Sequence, residues 1–456
     1  MRKTEAWFAD LIARRTGWRP DSVFSFNGGA PESVRIVPPN QEFDAAGADL
    51  PGLLGGGVLD GAGNLIFDLP GLAAWSLGRF EERDAPGWSV KDKFRFARSL
   101  AASQGVGDRP FVDLLVDRFC EGVLQLRANR GLRTPAIRRP WPGGKRAAVC
   151  FTHDVDQLDG QTHLWARRAF WRAKRLACDI RGDRATRADV EGRLRRWRRD
   201  GSDPAWTIPR WIELEKKRGI RSTVYFFALA TGLGPEGRLY HYRHHRMIEA
   251  VGRLTDAGFE VGLHPGSHGA GSLRMLRAQR DRIDRVCPGA VSAVRNHRLN
   301  VRFPHTWDLA GRAGFATMSN VGWDGGDNGF RAGTCFPYRP SDIPGIGVGD
   351  RLVEVPFQLM DASRIQNVES YVEKALHLLK RTREAGGVFV LDFHPHNMDP
   401  VEAPGVHEAF GRICDAVLSD SDLWIAPVSE VAGALYPKDP RCELLLGCHG
   451  QANAWP

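Results

Sequence analysis

Several features that mark other protein classes are missing from this sequence. No stretch of about 18 apolar residues occurs, which predicts that the chain has no transmembrane helix. The eight cysteines include no Cys-x-x-Cys pair, and in a chain of 456 residues their scatter indicates reduced thiols. Asp10, Arg14 and Arg15 stand where an export signal needs an apolar core. We therefore expect a cytoplasmic protein.

Lysine is scarce, and the positive charge comes almost entirely from arginine. Only 10 of the 63 basic residues are lysine, and the net charge is +9 with a pI near 9.3. A basic chain suggests nucleic acid or an anionic membrane as a partner. Because no known nucleic-acid-binding motif accompanies the charge, we expect no nucleic-acid partner.

The chain divides by composition into three parts. Residues 1–140 contain short apolar runs and one helical period, at residues 110–126, but no cluster of reactive side chains, so we interpret them as an N-terminal α/β accessory domain. A Pro- and Gly-rich linker leads into residues 141–436, where strands and helices alternate. This alternation predicts a parallel sheet, either open or closed into a barrel. Residues 437–456 form a C-terminal tail.

The strands of the second part are predicted from apolar runs, several of which follow helices that end at glycine. They cover residues 147–151, 222–227, 259–263, 293–295, 316–318, 352–356 and 387–393. The helices expected between them cover residues 211–218, 247–257, 368–383 and 407–418. Catalytic groups in such folds lie at the carboxyl ends of the strands.

Two carboxylates close the first of these strands. Asp154 and Asp156 follow the apolar run 147–151, and since side chains alternate along a strand, both are expected to face one site. Like charges at this spacing repel each other. The pair therefore needs a positive partner, which can be a metal ion, an arginine or both.

Histidines follow two other strands. His264 and His268 come directly after the third strand, and histidines four residues apart can converge on one ion if the segment starts a helix or makes a turn. One aspartate and two histidines leave coordination positions open, as in catalytic metal sites. His394, after the last strand, is a candidate general acid, with His396 as its competitor.

An arginine also ends a predicted strand. Arg295 is the first candidate for clamping one carboxylate and keeping it ionised, and Arg298 is the second. In a chain with 53 arginines, a surface role for either stays an alternative. Asp392 is expected to point away from Phe393 and towards a neighbour that it orients.

In this order, these residues resemble the polysaccharide deacetylase family, also called the NodB homology domain or carbohydrate esterase family four. The likeness covers roughly residues 145–436. It is carried by Thr152-His153-Asp154-Val155-Asp156, the pair His264 and His268, Arg295, and the run from Leu391 to His394. A cytoplasmic subgroup has a similar Thr-His-Asp-Val-Asp motif and stretches similar to residues 75–82 and 329–334. The resemblance implies a distorted (β/α) barrel of about seven parallel strands.

The resemblance also implies a metal site and a reaction. Asp156, His264 and His268 would hold a divalent ion, with zinc as the expected metal. The reaction would be hydrolysis of an N-acyl group, chiefly N-acetyl, on an amino-sugar glycoconjugate or polysaccharide precursor. Two alternatives stay open, namely hydrolysis of cyclic amides or ureides on the same fold, and glycan binding by a protein that has lost turnover.

The roles of the remaining residues follow from the same likeness, with three departures, the first of which is that the family's usual proline is missing after Arg295. Asp154 would be the base, fixed by Arg295, and His394 would protonate the leaving amine. The Asp-x-Asp spacing differs from the adjacent aspartates of the family. The aspartate that usually supports the acid is not evident in the sequence, where Asp324 and Asp327 are the candidates.

A basic insertion, residues 161–200, follows the first strand. Residues 161–199 contain 13 lysines and arginines against 4 acidic residues. At about 100° per residue, the apolar side chains share one side of a helix. Such a helix either packs on the barrel or lies on an anionic membrane surface, which would place the protein at the inner membrane beside a lipid-linked glycan substrate. The apolar residues are Trp165, Ala166, Ala169, Phe170, Ala173, Leu176, Ala177 and Ile180.

Overall fold

The computed structural model describes most of the chain. The described residues are 3–26, 31–83, 93–158, 164–196, 206–230, 240–287, 291–324, 326–349, 352–361, 365–400 and 403–437. None of the helices in these ranges is long and apolar enough to cross a membrane. Six cysteines fall in the same ranges, and all six are free and buried. Cys442 and Cys448 lie outside the described residues.

The described residues of the N-terminal part form six α-helices and a two-stranded parallel sheet. Its core contains the rings of Phe8, Phe24 and Phe119, which pack edge to face with centroids 5.2 to 5.4 Å apart. The helical period predicted between residues 110 and 126 is confirmed by the longest of these helices. The helices are α1 Lys3–Thr16, α2 Pro20–Val23, α3 Leu50–Gly55, α4 Leu69–Leu77, α5 Leu100–Ser103 and α6 Phe111–Asn129, and the strands are β1 Phe24–Ser25 and β2 Val34–Arg35.

Buried charged groups connect this part to the rest of the chain. The Glu82 carboxylate lies 2.5 Å from Arg79 Nη2 and 2.5 Å from Arg331 Nη2, and all three side chains are almost fully buried. Asp113 of α6 accepts a hydrogen bond of 2.7 Å from Thr334 Oγ1. The buried charges of Arg79, Glu82 and Arg331 therefore compensate one another, and removing Glu82 would leave two buried cations without their anion. The division of the chain at residue 140 stays a prediction.

In the described residues that follow, nine parallel strands form one sheet, which confirms the predicted parallel α/β fold. Eight strands run in the order β8-β7-β6-β5-β4-β3-β10-β9, and β11 pairs with the start of β3. The predicted number was about seven; the two short strands β9 and β11 were not predicted. The strands are β3 Ala147–Val155, β4 Thr223–Phe226, β5 Glu260–Leu263, β6 Ala293–Val294, β7 Thr317–Met318, β8 Val353–Glu354, β9 Leu359–Met360, β10 Val388–Asp392 and β11 Leu423–Ile425.

The sheet is curled, as in a distorted barrel. Strands β6 and β10 are four positions apart in the strand order, a distance of about 19 Å in a flat sheet with strands about 4.8 Å apart. Nevertheless Arg295, directly after β6, contacts Asp392 at the end of β10 at 2.7 Å. The carboxyl ends of the strands therefore converge around one space.

Helices connect the strands and confirm the predicted alternation. The four predicted helices of the second part correspond to α9, α10, α14 and α15, with ends that differ by a few residues. At the start of α14, Asn367 Oδ1 accepts a hydrogen bond from the Ser370 amide, and the helix ends at Gly386 with φ +79°. The helices are α7 Leu164–Arg181, α8 Arg184–Arg196, α9 Ile208–Lys216, α10 His245–Asp256, α11 Ser267–Ala270, α12 Leu273–Asp284, α13 His305–Arg312, α14 Val368–Ala385, α15 Val406–Ser419 and α16 Val428–Leu435.

Candidate active site and metal centre

The central strand β3 carries the two aspartates at its carboxyl end. All nine residues of β3 are buried, and β10 flanks it on one side while β4 and β11 share the other. His264 Nε2 lies 3.8 Å from Asp154 Oδ2 and 3.3 Å from Asp156 Oδ1. The expectation that Asp154 and Asp156 face the same site is confirmed. Their exposed fractions differ, at 4% for Asp154 and 25% for Asp156.

The histidine after β5 is held in one orientation. His264 Nδ1 lies 2.7 Å from the carbonyl oxygen of Arg295, so Nδ1 donates and the lone pair of Nε2 points at Asp156. Among the described residues, neither this Nε2 nor Asp156 Oδ1 has a hydrogen-bond partner of good geometry. Two acceptor atoms 3.3 Å apart repel each other unless a cation or a proton lies near both.

A second histidine, His297, approaches the same oxygen. Its Nε2 lies 3.6 Å from Asp156 Oδ1, and one ligand atom from each of Asp156, His264 and His297 can be chosen so that all lie within 4.8 Å of one another. Tetrahedral ligands at about 2.1 Å from a zinc ion are about 3.4 Å apart. The three side chains therefore fit a divalent ion. His297 was not predicted as a ligand, although it follows a strand end as His264 does.

The electrostatic environment of Asp156 is positive. Burial acts to raise its pKa, but His264, His394 and His297 outweigh burial and hold the pKa of Asp156 well below its usual value. For His264 burial acts in the opposite direction, and the carboxylates of Asp154 and Asp156 raise its pKa above the usual value. Each shift favours the charged form of its group, so a shared proton or a metal ion stabilises this cluster.

The other predicted ligand is His268. It lies in the short helix α11, directly after the loop that follows β5. Its side chain lies outside the described part of the chain. The role of His268 as a metal ligand therefore stays a prediction.

The predicted arginine is confirmed as a neighbour of Asp154. Arg295 is fully buried, and its Nη1 lies 3.3 Å from Asp154 Oδ1 and 2.7 Å from Asp392 Oδ1. Its Nε donates to the carbonyl of Ser319 at 2.8 Å, which fixes the guanidinium. Asp392, expected to orient a neighbour, holds this arginine and also accepts a hydrogen bond from Thr152 Oγ1. Burial and the nearby Asp154 raise the pKa of Asp392 to about 7.

The candidate acid has an aspartate partner that sequence reasoning missed. His394 Nδ1 lies 2.5 Å from Asp361 Oδ1, and the backbone amide of His394 donates to Asp361 Oδ2 at 3.2 Å. Asn397 Nδ2 donates to the same oxygen at 2.9 Å. Burial lowers the pKa of His394, but Asp361 outweighs it, and the pKa lies well above the usual value. This shift favours the imidazolium form of His394, whose Nε2 lies 3.8 Å from Asp156 Oδ2.

The two aspartates considered for this role lie elsewhere. Asp324 pairs with Lys93 at 2.6 Å, and the backbone amide of Asp327 bonds to the carbonyl of Asp324. Neither contacts His394. The ring of His396, the other candidate for the general acid, has its centroid 5.5 Å from that of His394. It is His394 whose Nε2 lies near Asp156, at 3.8 Å from Oδ2.

No family model and no curated protein matches the chain. Among solved structures, it is similar to a Mycobacterium smegmatis protein assigned as a polysaccharide deacetylase, with 20% identity, a TM-score of 0.44, and coverage of 67% of this chain and 95% of that chain. A Pseudomonas aeruginosa PAO1 protein with the same assignment has 15% identity and a TM-score of 0.42, covering 66% and 95%. Puue allantoinase has 13% identity and a TM-score of 0.42, covering 66% and 94%.

Proposed function

We propose that the protein is a metal-dependent hydrolase that removes an N-acyl group, chiefly N-acetyl, from an amino sugar. One observation carries the proposal. Three side chains that could hold a metal ion, Asp156, His264 and His297, lie beside a histidine bound to Asp361 and an aspartate bound to Arg295, all at the carboxyl ends of the strands. Amide hydrolysis needs an electrophilic centre, a base and an acid in this proximity.

The proposed ligands are Asp156, His264 and His297, and His268 is retained as a fourth candidate. Aspartate and histidine suit zinc, and a set of this size leaves positions for water and substrate. A divalent ion at this position supplies Lewis-acid chemistry, activating water and polarising an acyl carbonyl.

Asp154 is the proposed general base. Its Oδ1 is bound by Arg295, while its Oδ2 faces the metal-binding side of the site, 3.8 Å from His264 Nε2. A proton from the attacking water can therefore pass to Oδ2 while Oδ1 stays anchored. Arg295 acts through Asp154 and is a positioning residue.

His394 is the proposed general acid. Asp361 engages Nδ1 and leaves the Nε2 proton directed at the site. When the carbon–nitrogen bond breaks, this proton passes to the leaving amine nitrogen. Asp156 and His394 are 25% and 15% exposed, against 4% for Asp154 and 1% for His264. The substrate amide therefore enters from the side of Asp156 and His394.

An amino-sugar substrate, whether a polysaccharide precursor or a lipid-linked glycan, is supported by the motif resemblance. The decisive assay measures acetate release from N-acetylglucosamine oligosaccharides beside ring opening of cyclic ureides, after the metal content has been determined by elemental mass spectrometry. We expect about one zinc or similar ion per chain and acetate as the product. Turnover of the ureides alone would favour the cyclic amide alternative, and glycan binding without any turnover would overturn the enzymatic proposal.

Paired variants separate the proposed roles of the two aspartates. Asp154→Asn should keep the metal and lose about 10²- to 10⁴-fold in kcat, as expected for a general base. Asp156→Asn should lose the metal as well, since it removes a ligand charge. The control is His377→Gln, because His377 is exposed and its only described salt bridge is to Asp108. Equal metal loss in both aspartate variants would contradict the assignment of base and ligand.

A further inference from the structure

The basic insertion forms a helical hairpin in the structure. Helix α7, Leu164–Arg181, is followed by a turn at Gly182, where φ is +68°. Helix α8 then packs back against α7. Arg187 Nη1 of α8 lies 3.1 Å from Asp179 Oδ1 of α7. Cys178 and Val190 are buried, which gives the hairpin an apolar interior of its own.

The opposite side of α7 presents apolar side chains to solvent. Leu176 is 61% exposed and Ile180 is 79% exposed, the two largest exposures among the large apolar side chains described. Ala169 and Ala173 are exposed on the same side, because residues spaced by three or four align along a helix. We call Ala169, Ala173, Leu176 and Ile180 the exposed stripe. The alternative that this side packs on the barrel is wrong for these four residues.

Basic residues flank the exposed stripe. Arg172, Arg175 and Arg181 of α7 are all exposed, and so is Arg184 at the start of α8. The segment 161–199 carries 13 basic and 4 acidic residues. An exposed apolar stripe with arginines on the neighbouring positions is the pattern of helices that lie in the interface of a membrane.

We propose that the exposed stripe docks on an anionic lipid surface. A second copy of the chain is a poor occupant, since a symmetric contact would bring two strongly basic segments together. Duplex nucleic acid would use the arginines but gain little from Leu176 and Ile180. An anionic lipid surface would contact both features, because the apolar side chains of the exposed stripe enter the acyl boundary while the arginines bind the anionic headgroups.

The hairpin also lies close to the candidate active site along the chain. Leu164 is eight positions after Asp156 in the sequence, so α7 starts within about 28 Å of the site, the reach of eight extended residue steps. Docking through the exposed stripe would therefore hold the site near the lipid surface. The exposure of the stripe and the charge of its flanking residues alone favour this docking, whether or not the protein is a hydrolase.

The test is flotation of the full chain with vesicles of phosphatidylcholine alone and with about 30 mol % phosphatidylglycerol. The test variant is Leu176→Glu with Ile180→Glu. The matched control is Ile66→Glu with Ile248→Glu, which removes two isolated exposed apolar side chains, 58% and 51% exposed, and changes the charge equally. We expect binding to the anionic vesicles only, at least about tenfold weaker in the stripe variant and little changed in the control.

Several results would overturn the proposal. The first is that the native chain stays in the soluble fraction with anionic vesicles at low salt. The second is an equal loss of binding in both double variants, which would indicate a charge effect without a role for the stripe. The third is that sedimentation without vesicles shows a dimer that only the stripe variant loses, which would make a second copy the occupant. Matching thermal unfolding of the variants ensures that binding is compared between folded chains.

Discussion

Replacing Asp361 by asparagine tests the proposed acid directly. Asp361 contributes three contacts around His394, namely the 2.5 Å contact with Nδ1, a bond from the backbone amide and a bond from Asn397. Asparagine has nearly the same shape and can still accept from Nδ1, but it carries no charge. The substitution therefore removes the anion that stabilises the imidazolium and keeps the side-chain volume, although the new amide nitrogen cannot accept the two N–H groups that Asp361 Oδ2 accepts.

The expected fall in the pKa of His394 follows from the attraction between the two charges. At a separation of about 4 Å and an effective dielectric constant of about 20, an imidazolium and a carboxylate attract each other by about 4 kcal/mol. Since about 1.4 kcal/mol changes a pKa by one pH unit, this attraction can raise the pKa of His394 by at most about three pH units. Asp392 and Asp156 remain 4.0 and 3.8 Å from the ring and keep part of the stabilisation. We expect the pKa of His394 to fall by about one to two pH units.

Two measurements report this change. A nitrogen-15 NMR titration of the histidine rings follows His394 in the absence of any substrate. The pH profile of kcat/KM for acetate release gives the second readout, because the acid must be protonated to act. Its alkaline limb should move to lower pH by the same amount as the NMR midpoint, since loss of the anion lets the proton leave at lower pH.

The control uses a histidine–aspartate pair of similar length at the surface. His377 Nε2 lies 2.9 Å from Asp108 Oδ2, and both side chains are more than 40% exposed. Asp108→Asn should leave the alkaline limb where it is. An unchanged limb in the Asp361→Asn variant, with the NMR midpoint of His394 lowered as expected, would show that another group donates the proton. An unchanged midpoint would refute the electrostatic reasoning itself.

Three further predictions concern the metal ligands and the buried charges. His297→Ala should lower zinc affinity at least tenfold in a chelator competition; the same assay on His268→Ala tells whether that residue binds the ion too. Arg295→Met should lower the free energy of unfolding in urea by about 3 to 5 kcal/mol, since it leaves two buried carboxylates without their cation. Because the pKa of Asp392 is raised to about 7 from 3.8, its protonated form stabilises the fold at low pH, and this contribution is lost as the pH rises through 7. The stability of Asp392→Asn should therefore fall less between about pH 5 and about pH 8 than that of the native chain.

Much of the fold could be predicted because its main strands are long or strongly apolar. Strand β3 is buried along all nine residues, and it appears in the sequence as an uninterrupted apolar run that ends in polar residues. Strands β9 and β11 have only two and three residues and were missed, whereas β6, β7 and β8, of two residues each, were predicted because they lie in recognisable apolar runs. So short a segment carries no measurable periodicity, and it is a strand only because it pairs with β10 or β3.

The missed strand β9 also explains why Asp361 was not predicted as part of the candidate site. Asp154, Asp156, His264 and His394 follow recognisable strands, and the structure brings all of them together. Asp361 directly follows β9, so no predicted strand end pointed to it.

The position of His297 depends on a backbone turn that composition does not reveal. Arg298 and Leu299 both adopt positive φ, +56° and +47°, which are uncommon values for residues with side chains. The His297 amide also donates to the carbonyl of Pro265 in the loop after β5. Together these features hold the histidine near Asp156, whereas its sequence neighbours gave no reason to choose it over Arg295 or Arg298.

The Asp-x-Asp spacing accounts for the different roles of its two aspartates. Two residues apart at the end of a strand, Asp154 and Asp156 face one site, while His153, directly before Asp154, points to the other face and contacts Glu215 at 3.0 Å. Asp154 is buried against the fixed cation Arg295, so its charge is compensated before any ion binds. Asp156 is more exposed, and its ion-pair partners among the described residues are histidines, whose compensation depends on protons or on a metal. The inner aspartate is therefore suited to hold and release a proton, and the outer one to bind a divalent ion.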